Sequence, residues 1–339
     1  MTKAIIVDIA TEVPSRVLTN AELGKNNIGW TADEILAKTG ISERRISAKD
    51  ECASDLAVRA AEKLFNKGKV KRDQIDYVLF CTQSPDYFLP TTACIIQERL
   101  GLPRTCGAFD FNLGCSGYVV GLSLAKALIE SNQAQCVLLL TGETYSKFIH
   151  PQDRSVCTLF GDGASATVIQ SDSSASSGLD QFLTGTDGRG WKSLIVPAGG
   201  MRSPHTLETA QTRVDEDGNT RSEDNLYMNG REIFRFALQA VPQTVKQLLD
   251  RAKLNEADID FVILHQANRF MLDELVKRLR FPQGKVPYEF ADVGNTVSTT
   301  IPIVLERMVT QGKLKSGQRL LLLGFGVGYS WAGGIITWR

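Results

Sequence analysis

The segment Phe109-Asp110-Phe111-Asn112-Leu113-Gly114-Cys115-Ser116-Gly117 ends a short apolar run in a thiol flanked by glycines, and a small-residue helical pattern continues to Ala125. This pattern predicts a strand-to-helix turn that puts Cys115 at a helix N-terminus. Free N–H groups and partial positive charge there favour thiolate over thiol. An isolated cysteine is more often a buried structural residue, so Cys115 gains chemical meaning only from partners. Two residues are candidates. His265 follows the apolar run Ile259–Leu264, and Asn295 sits in Gly294-Asn295-Thr296. A thiol, an imidazole and an amide together suit acyl transfer. The thiolate attacks a thioester, while the other two donate hydrogen bonds to a developing oxyanion or enolate. Taken singly, His265 reads as a core histidine at a strand end and Asn295 as a turn residue.

The elements that must position these groups alternate between strand and helix. Strand-like runs occupy 4–7, 75–81, 136–140, 166–169, 179–183, 259–264, 320–323 and 333–338. Thr31 caps a helix that ends at Thr39-Gly40, and Ile41–Ile46 reads as a charged turn. Further helices are expected over 54–65, 91–100, from beyond Cys115 to Glu130, and over 270–279. A helix beginning near Asn229 runs toward Pro242, and another starts at Val245. Phe160-Gly161-Asp162-Gly163-Ala164 reads as a structural turn, because neither Lys-Ser/Thr nor a helix start follows it. Gly324-Phe325-Gly326-Val327-Gly328 leads to a strand, which excludes a dinucleotide loop. Residues 171–177 are small and polar and read as a linker. Residues 185–224 form a long irregular region of the kind used for lids and binding loops.

The two halves repeat each other. Leu64, Lys69, Ile75, Asp76 and Val78 recur without a gap as Leu248, Lys253, Ile259, Asp260 and Val262. Near the same offset, Gly114-Cys115-Ser116 faces Gly294-Asn295-Thr296, and each is followed by a helix and a leucine run. Two matches in one order indicate duplication. The expected fold is α/β, with pseudo-symmetric halves at 1–172 and 178–339 and sheets covered by helices. Corresponding turns of such halves meet near the pseudo-twofold axis. Cys115, Asn295 and His265 should therefore converge.

Composition narrows the function. Lys plus Arg number 38 and Asp plus Glu number 38, so no global field selects nucleic acid or a membrane surface. Seven irregularly spaced cysteines and three histidines offer no CxxC pair and no ligand cluster for a metal. No run approaches the ~18 apolar residues of a membrane span. Asp8 interrupts the first apolar run, unlike the core of a signal peptide. A reduced, cytoplasmic protein is expected, with no metal, nucleic-acid or membrane partner.

Six motifs in order resemble the β-ketoacyl-acyl-carrier-protein synthase III family of the thiolase superfamily. They are Thr39-Gly40-Ile41-Ser42-Glu43-Arg44, Gly114-Cys115-Ser116-Gly117, Asp153-Arg154 with Phe160–Ala164, His265-Gln266-Ala267-Asn268, Gly294-Asn295-Thr296, and Gly324–Gly328 with Trp331-Ala332-Gly333. The resemblance covers essentially the whole chain. It implies a layered α-β-α-β-α thiolase-like fold, a homodimer and no bound cofactor. Cys115 would be acylated by acyl-CoA, with backbone N–H groups of Cys115 and Val327 as the oxyanion hole. His265 and Asn295 would promote decarboxylation of a malonyl thioester, delivered by malonyl-acyl carrier protein. Asn268 would line the pantetheine tunnel. Arg154 would flank the adenine of CoA.

Four positions depart from the family pattern. Phe270 occupies the place of an arginine that docks the carrier; Arg269, one residue early, and the basic face of Lys277, Arg278 and Arg235 are the carrier-docking candidates, with a solvated charged helix face as the alternative. Ile35 replaces a tryptophan that stacks on adenine, and Trp30 lies nearby. Leu89 replaces the phenylalanine that limits the acyl pocket across the dimer, implying a starter longer than acetyl. Val327 replaces a glycine beside the thiol. Two other functions are weighed: a specialised acyltransferase moving the Cys115-bound acyl group to an oxygen, nitrogen or carbon nucleophile, and a non-catalytic acyl-binding partner. The intact trio of Cys115, His265 and Asn295 argues against the latter.

Overall fold

The computed structural model describes residues 2–26 and 28–339. In chain order the first half contains β1 (Lys3–Glu12), β2 (Arg16–Thr19), α1 (Asn20–Gly24), α2 (Ala32–Thr39), β3 (Glu43–Ile46), α3 (Ala53–Asn66), β4 (Tyr77–Cys81), α4 (Thr92–Arg99), β5 (Gly107–Phe111), α5 (Gly117–Glu130), β6 (Cys136–Glu143), α6 (Arg154–Cys157) and β7 (Gly163–Asp172). The second half contains β8 (Leu179–Thr186), the short strands β9 (Leu194–Ile195), β10 (Arg213–Val214), β11 (Thr220–Arg221) and β12 (Tyr227–Met228), then α7 (Gly230–Ala252), β13 (Phe261–Leu264), α8 (Arg269–Leu279), α9 (Thr300–Thr310), β14 (Arg319–Gly326) and β15 (Ser330–Thr337).

Local chemistry sets the element ends. Thr31 and Glu34 form a capping box on α2, and Gly40 closes it in the left-handed conformation. Two sheets carry the fold, ordered β1-β7-β6-β4-β5 and β13-β14-β15-β8. Helices α5 and α9 lie between them. α5 packs on β1, β4, β6 and β7 from one side and on β8, β14 and β15 from the other. α3 and α4 cover the outer face of the first sheet, and α7 covers that of the second with α8 packed against it. The result is five layers, α-β-α-β-α, with apolar cores at the central layer and beneath each outer one.

The sheets share one pattern. β4 runs parallel to β6, which pairs antiparallel with β7, as β13 runs parallel to β14, which pairs antiparallel with β15. The duplicated aspartates do the same work. Asp76 accepts from Cys136 N at 2.9 Å, and Asp260 accepts from Arg319 N at 2.7 Å. Each carboxylate ties the start of one parallel strand to its neighbour.

Two local expectations are corrected. Residues 43–46 are strand β3, paired with β2, rather than a turn. Arg44 is fully buried there and donates to Asn20 Oδ1 at 2.7 Å and Thr158 O at 2.8 Å. Its charge therefore faces inward, and burial lowers its pKa to about 10. α7 also runs unbroken through Pro242. An interior proline costs about 3 kcal/mol, but Ala237, Val241, Val245, Leu248 and Leu249 form one continuous buried face that holds the helix together.

Candidate active site

Cys115 lies in the turn after β5, directly ahead of α5, as its spacing predicts. The end of β14 runs immediately behind it. A Cβ on Gly326 would sit 2.9 Å from Cys115 Sγ, so only glycine allows this approach. The next turn is fastened to the loop that carries Cys115. Ser116 Oγ lies 2.7 Å from Ser330 Oγ, and the Ser330 hydroxyl donates to Val327 O at 3.0 Å. Val327 thus packs with Cys115, Phe160 and Val297 in one apolar cluster.

His265 is held from both sides. Its backbone N–H donates to Leu323 O on β14 at 2.8 Å, and the Phe325 ring meets the imidazole edge-on at 5.5 Å. Nδ1 lies 2.8 Å from Thr300 Oγ1. Burial pushes the imidazole pKa down to about 3, so His265 is neutral at physiological pH.

Asn295 is fixed by its backbone and by its side-chain oxygen. Its N–H donates to Leu159 O at 2.9 Å, and its carbonyl accepts from Gly161 N at 3.1 Å. Phe160–Ala164 is therefore a structural turn that buttresses Asn295. Asn295 Oδ1 accepts from Val297 N at 2.9 Å. With that acceptor engaged, the amide NH2 is the end free to donate. Val297 reaches this position at φ +55°, a left-handed conformation that is unusual for a β-branched residue.

A continuous set of contacts joins the trio: Cys115 against Gly326, Phe325 against His265, His265 to Thr300, Thr300 to Val297, and Val297 to Asn295. The N-terminus of α5 favours a thiolate, but desolvation dominates at Cys115. Burial, then the Glu143 charge, pushes the thiol up to about 12. Burial also raises Glu143 itself, to about 8, so near neutral pH its carboxyl is largely protonated and its repulsion of a Cys115 thiolate fades.

The sequence analysis missed Glu143. Its carboxyl accepts from Gln83 N at 3.0 Å, Ser84 Oγ at 3.0 Å and Ser298 Oγ at 3.1 Å, joining the ends of β4 and β6 to the Asn295 turn. The available signal was an acidic residue three positions after the leucine run Leu138–Leu140. Thr300, five residues after Asn295, was missed for want of any local signature.

A cavity of about 940 Å³ opens beside this site. Gln83, Tyr145, Phe148, Leu194, Leu226 and Val327 lie along its wall. The irregular region 185–224 thus supplies much of a binding wall. Tyr87 and Phe88 line the rim of this cavity, whereas the next residue, Leu89, is off its wall and 85% exposed.

Trp30, rather than Ile35, is the aromatic beside Arg154. The Arg154 guanidinium lies 5.4 Å from the Trp30 ring centroid and Lys38 Nζ 5.1 Å from it, whereas Ile35 is buried with Leu23, Ile28 and Cys157. Asn268 caps α8 through Oδ1 and lines the same cleft as Trp30, Arg154 and Arg269. The basic residues divide. Arg235 and Arg278 share a separate groove with Phe234, and Lys277 pairs with Glu274. Phe270 stacks on Phe234 at 5.1 Å, an apolar step next to that groove. Among the described residues, no helix is long and apolar enough to cross a membrane, and no group of three or more His, Cys, Asp or Glu could hold a metal ion.

Comparison with known proteins agrees with this geometry. The family profile for 3-oxoacyl-[acyl-carrier-protein] synthase III matches residues 109–188, and the profile for its C-terminal part matches residues 249–338. A β-ketoacyl-[acyl-carrier-protein] synthase III of Caldanaerobacter subterraneus is 36% identical over 334 residues, covering 98% of this chain and 97% of its own. A crystal structure of a 3-oxoacyl-(acyl-carrier-protein) synthase III superposes with a TM-score of 0.97 at 53% identity, covering 99% of this chain and 100% of its own. The priming β-ketosynthase of a polyketide pathway superposes with a TM-score of 0.85 at 28% identity, covering 99% and 96%. The chain belongs to the β-ketoacyl-acyl-carrier-protein synthase III family, condensing acyltransferases of thiolase-like fold.

Proposed function

We propose that Cys115 carries the acyl group and that His265 and Asn295 hold the second thioester during decarboxylation. In the first half-reaction the Cys115 sulfur attacks the carbonyl of acyl-CoA. Backbone N–H groups of Cys115 and Val327 receive the oxyanion, and CoA leaves with the thiol proton. In the second, a malonyl thioester, with acyl carrier protein as the proposed bearer, sets its carbonyl oxygen against His265 and the Asn295 NH2. Carbon dioxide departs and leaves an enolate. The enolate carbon attacks the acyl carbonyl, Cys115 leaves as thiolate and regains a proton, and a β-ketoacyl thioester is released. The observation that carries this reading is the engagement of Asn295 Oδ1 by Val297 N, which leaves the amide NH2 as the group that can donate to a thioester oxygen. Both substrates come and go; no resident cofactor enters any step.

Trp30, Arg154 and Asn268 are assigned to the CoA-side cleft, with Arg269 at its rim. Arg269, Arg235, Lys277 and Arg278 are assigned to carrier docking. A homodimer accounts for Tyr87, Phe88 and Leu89, exposed by 63%, 80% and 85%, and for the open edge strand β5 with Phe109 exposed by 39%. Such features mark interaction surfaces. In that dimer Leu89 reaches the partner's acyl cavity.

Intact-mass spectrometry with a panel of acyl-CoAs tests the nucleophile. An acyl adduct is expected on the wild type and none on Cys115→Ala. Labelled carbon dioxide released on adding malonyl-carrier protein separates condensation from simple transfer to another nucleophile. A wild type that takes up no acyl group across the panel overturns the enzymatic assignment and favours an acyl-binding partner.

A further inference from the structure

Three side chains converge on Gly114, the residue that leads into Cys115. A Cβ placed on Gly114 would sit 2.5 Å from Gln83 Oε1, 3.0 Å from Val327 Cγ1 and 3.2 Å from Val297 Cγ1. Gln83 and Val327 also line the cavity of about 940 Å³, and so does Tyr145, whose hydroxyl donates to Gln83 Oε1. Tyr145, Val327 and Val297 belong to the apolar cluster that contains Cys115. The cavity is therefore crowded where it meets the thiol. Its whole volume, in contrast, is at the upper end of the range of about 300–1,000 Å³ for pockets that enclose a small ligand.

The crowded end is also held in place. Gln83 is fixed at three points: its backbone N–H donates to Glu143 Oε2 at 3.0 Å, its side-chain nitrogen donates to Asn112 Oδ1 at 3.1 Å, and its side-chain oxygen accepts from Tyr145. Tyr145 is 4% exposed, and its ring centroid lies 5.3 Å from that of Phe160 and 6.0 Å from that of Phe148. Burial pushes the phenol pKa well above its usual range, so the hydroxyl keeps its proton and remains a donor to Gln83. Such a wall swings aside for a wider ligand only by giving up the Tyr145–Gln83 bond and the packing of the ring.

We propose that Tyr145, locked by Gln83, is a specificity-determining residue that restricts the acyl group at the carbon next to the thioester carbonyl, so that Cys115 takes acyl groups unbranched at that carbon. The inference rests on the assignment of Cys115 as the acyl carrier. In the acyl-enzyme that carbon is two bonds from Cys115 Sγ and has no freedom to avoid the wall, whereas later carbons can turn into the cavity. Width beside the thiol is thus selected within the chain, separately from the part assigned to Leu89 of the other protomer.

Butyryl-CoA and 2-methylpropanoyl-CoA are isomers, so the difference between them reports shape at constant composition. Loading of Cys115 by each is followed by rapid-quench intact-mass spectrometry. The ratio of the two rates is divided by the ratio for a free thiol, N-acetylcysteine, which removes the intrinsic effect of branching. After this correction the wild type should favour the straight isomer by at least about tenfold, the lower end of the range for one misplaced methylene in a fitted pocket. Tyr145→Ala should reduce that preference at least about fivefold. Gln83→Ala, which frees the phenol, should reduce it in the same direction. A wild type that loads the isomers in the free-thiol ratio, or favours the branched one, overturns the proposal, as does a Tyr145→Ala variant with the full preference. If Tyr145→Ala fails to fold, the wild-type ratio and Gln83→Ala decide, and an unchanged preference in Gln83→Ala counts against the lock. A wild type that takes up no acyl group at all overturns the assignment of Cys115 instead, a result distinct from a lost preference.

Discussion

Replacing Asn295 by alanine separates two jobs of one amide. Its Oδ1 anchors Val297 N, and its NH2 is the proposed donor to the malonyl thioester. Removing the anchor leaves a buried N–H without its partner, which costs about 1–3 kcal/mol. For 339 residues, unfolding entropy at about 2.1 cal/mol/K per residue sums to about 0.7 kcal/mol/K, so the melting temperature should fall by about 1–4 °C. Removing the donor should be far more damaging to the chemistry. Loss of one preorganised oxyanion donor lowers a rate about 10²–10³-fold, or about 2.7–4 kcal/mol of barrier. The acylation half-reaction uses other N–H groups and should stay within a few-fold of wild type. The assay is rapid-quench mass spectrometry for acyl-Cys115, alongside labelled carbon dioxide release from malonyl-carrier protein and a thermal melt. Carbon dioxide release at the wild-type rate refutes the donor role. Equal losses of acylation and decarboxylation refute the division of labour between the two half-reactions.

Other positions give sharper local tests. Gly326→Ala drives a Cβ to 2.9 Å from Cys115 Sγ; acylation should slow by at least tenfold and stability should drop by about 1–3 kcal/mol, read by mass spectrometry and thermal melt. Octanoyl-CoA should load Cys115 at least as fast as acetyl-CoA, and Leu89→Phe should shift preference toward acetyl; faster acetyl loading by the wild type contradicts the assignment of Leu89. Trp30→Ala should raise KM for acyl-CoA several-fold, on the ~0.5–2 kcal/mol scale of a cation–π contact, and leave the corresponding acyl-pantetheine unaffected. Burial raises the Glu143 carboxyl to about 8, above its unfolded value of about 4.5. The native state therefore holds a proton that the unfolded chain has lost between those values, and this contribution to stability declines as pH rises from about 4.5 to about 8. Glu143→Gln should flatten that part of the stability–pH curve; an unchanged slope would show that the group titrates normally.

The sequence was most informative where repetition tied chemistry to geometry. Asp76 and Asp260 could be matched by eye because each has the same physical task, holding the N–H at the start of the next strand. That match aligns the strand ends and so makes Cys115, His265 and Asn295 candidates for one site from the sequence alone. Groups defined by burial alone left no such trace. Arg44 reads as a surface charge until Asn20 Oδ1 and Thr158 O are seen to receive it inside the protein. Pro242 reads as a helix break until the unbroken buried face of α7 is seen to carry the chain past it. Glu143 and Thr300 are subtler. Neither belongs to a repeated motif, and each meets a group far away in sequence: Glu143 accepts from Ser298 Oγ beside the Asn295 turn, and Thr300 Oγ1 lies against His265 Nδ1. Their placement follows from the two-sheet arrangement: β6 and β14 bring their ends to the central layer, where Cys115 heads α5 and Thr300 heads α9. A duplicated fold thus supplies two equivalent helix starts at one site. One half places the Cys115 thiol just ahead of its helix. The other places the Asn295 turn and the Thr300 hydroxyl at the start of α9, beside His265, so two similar halves bring different chemical groups to one site.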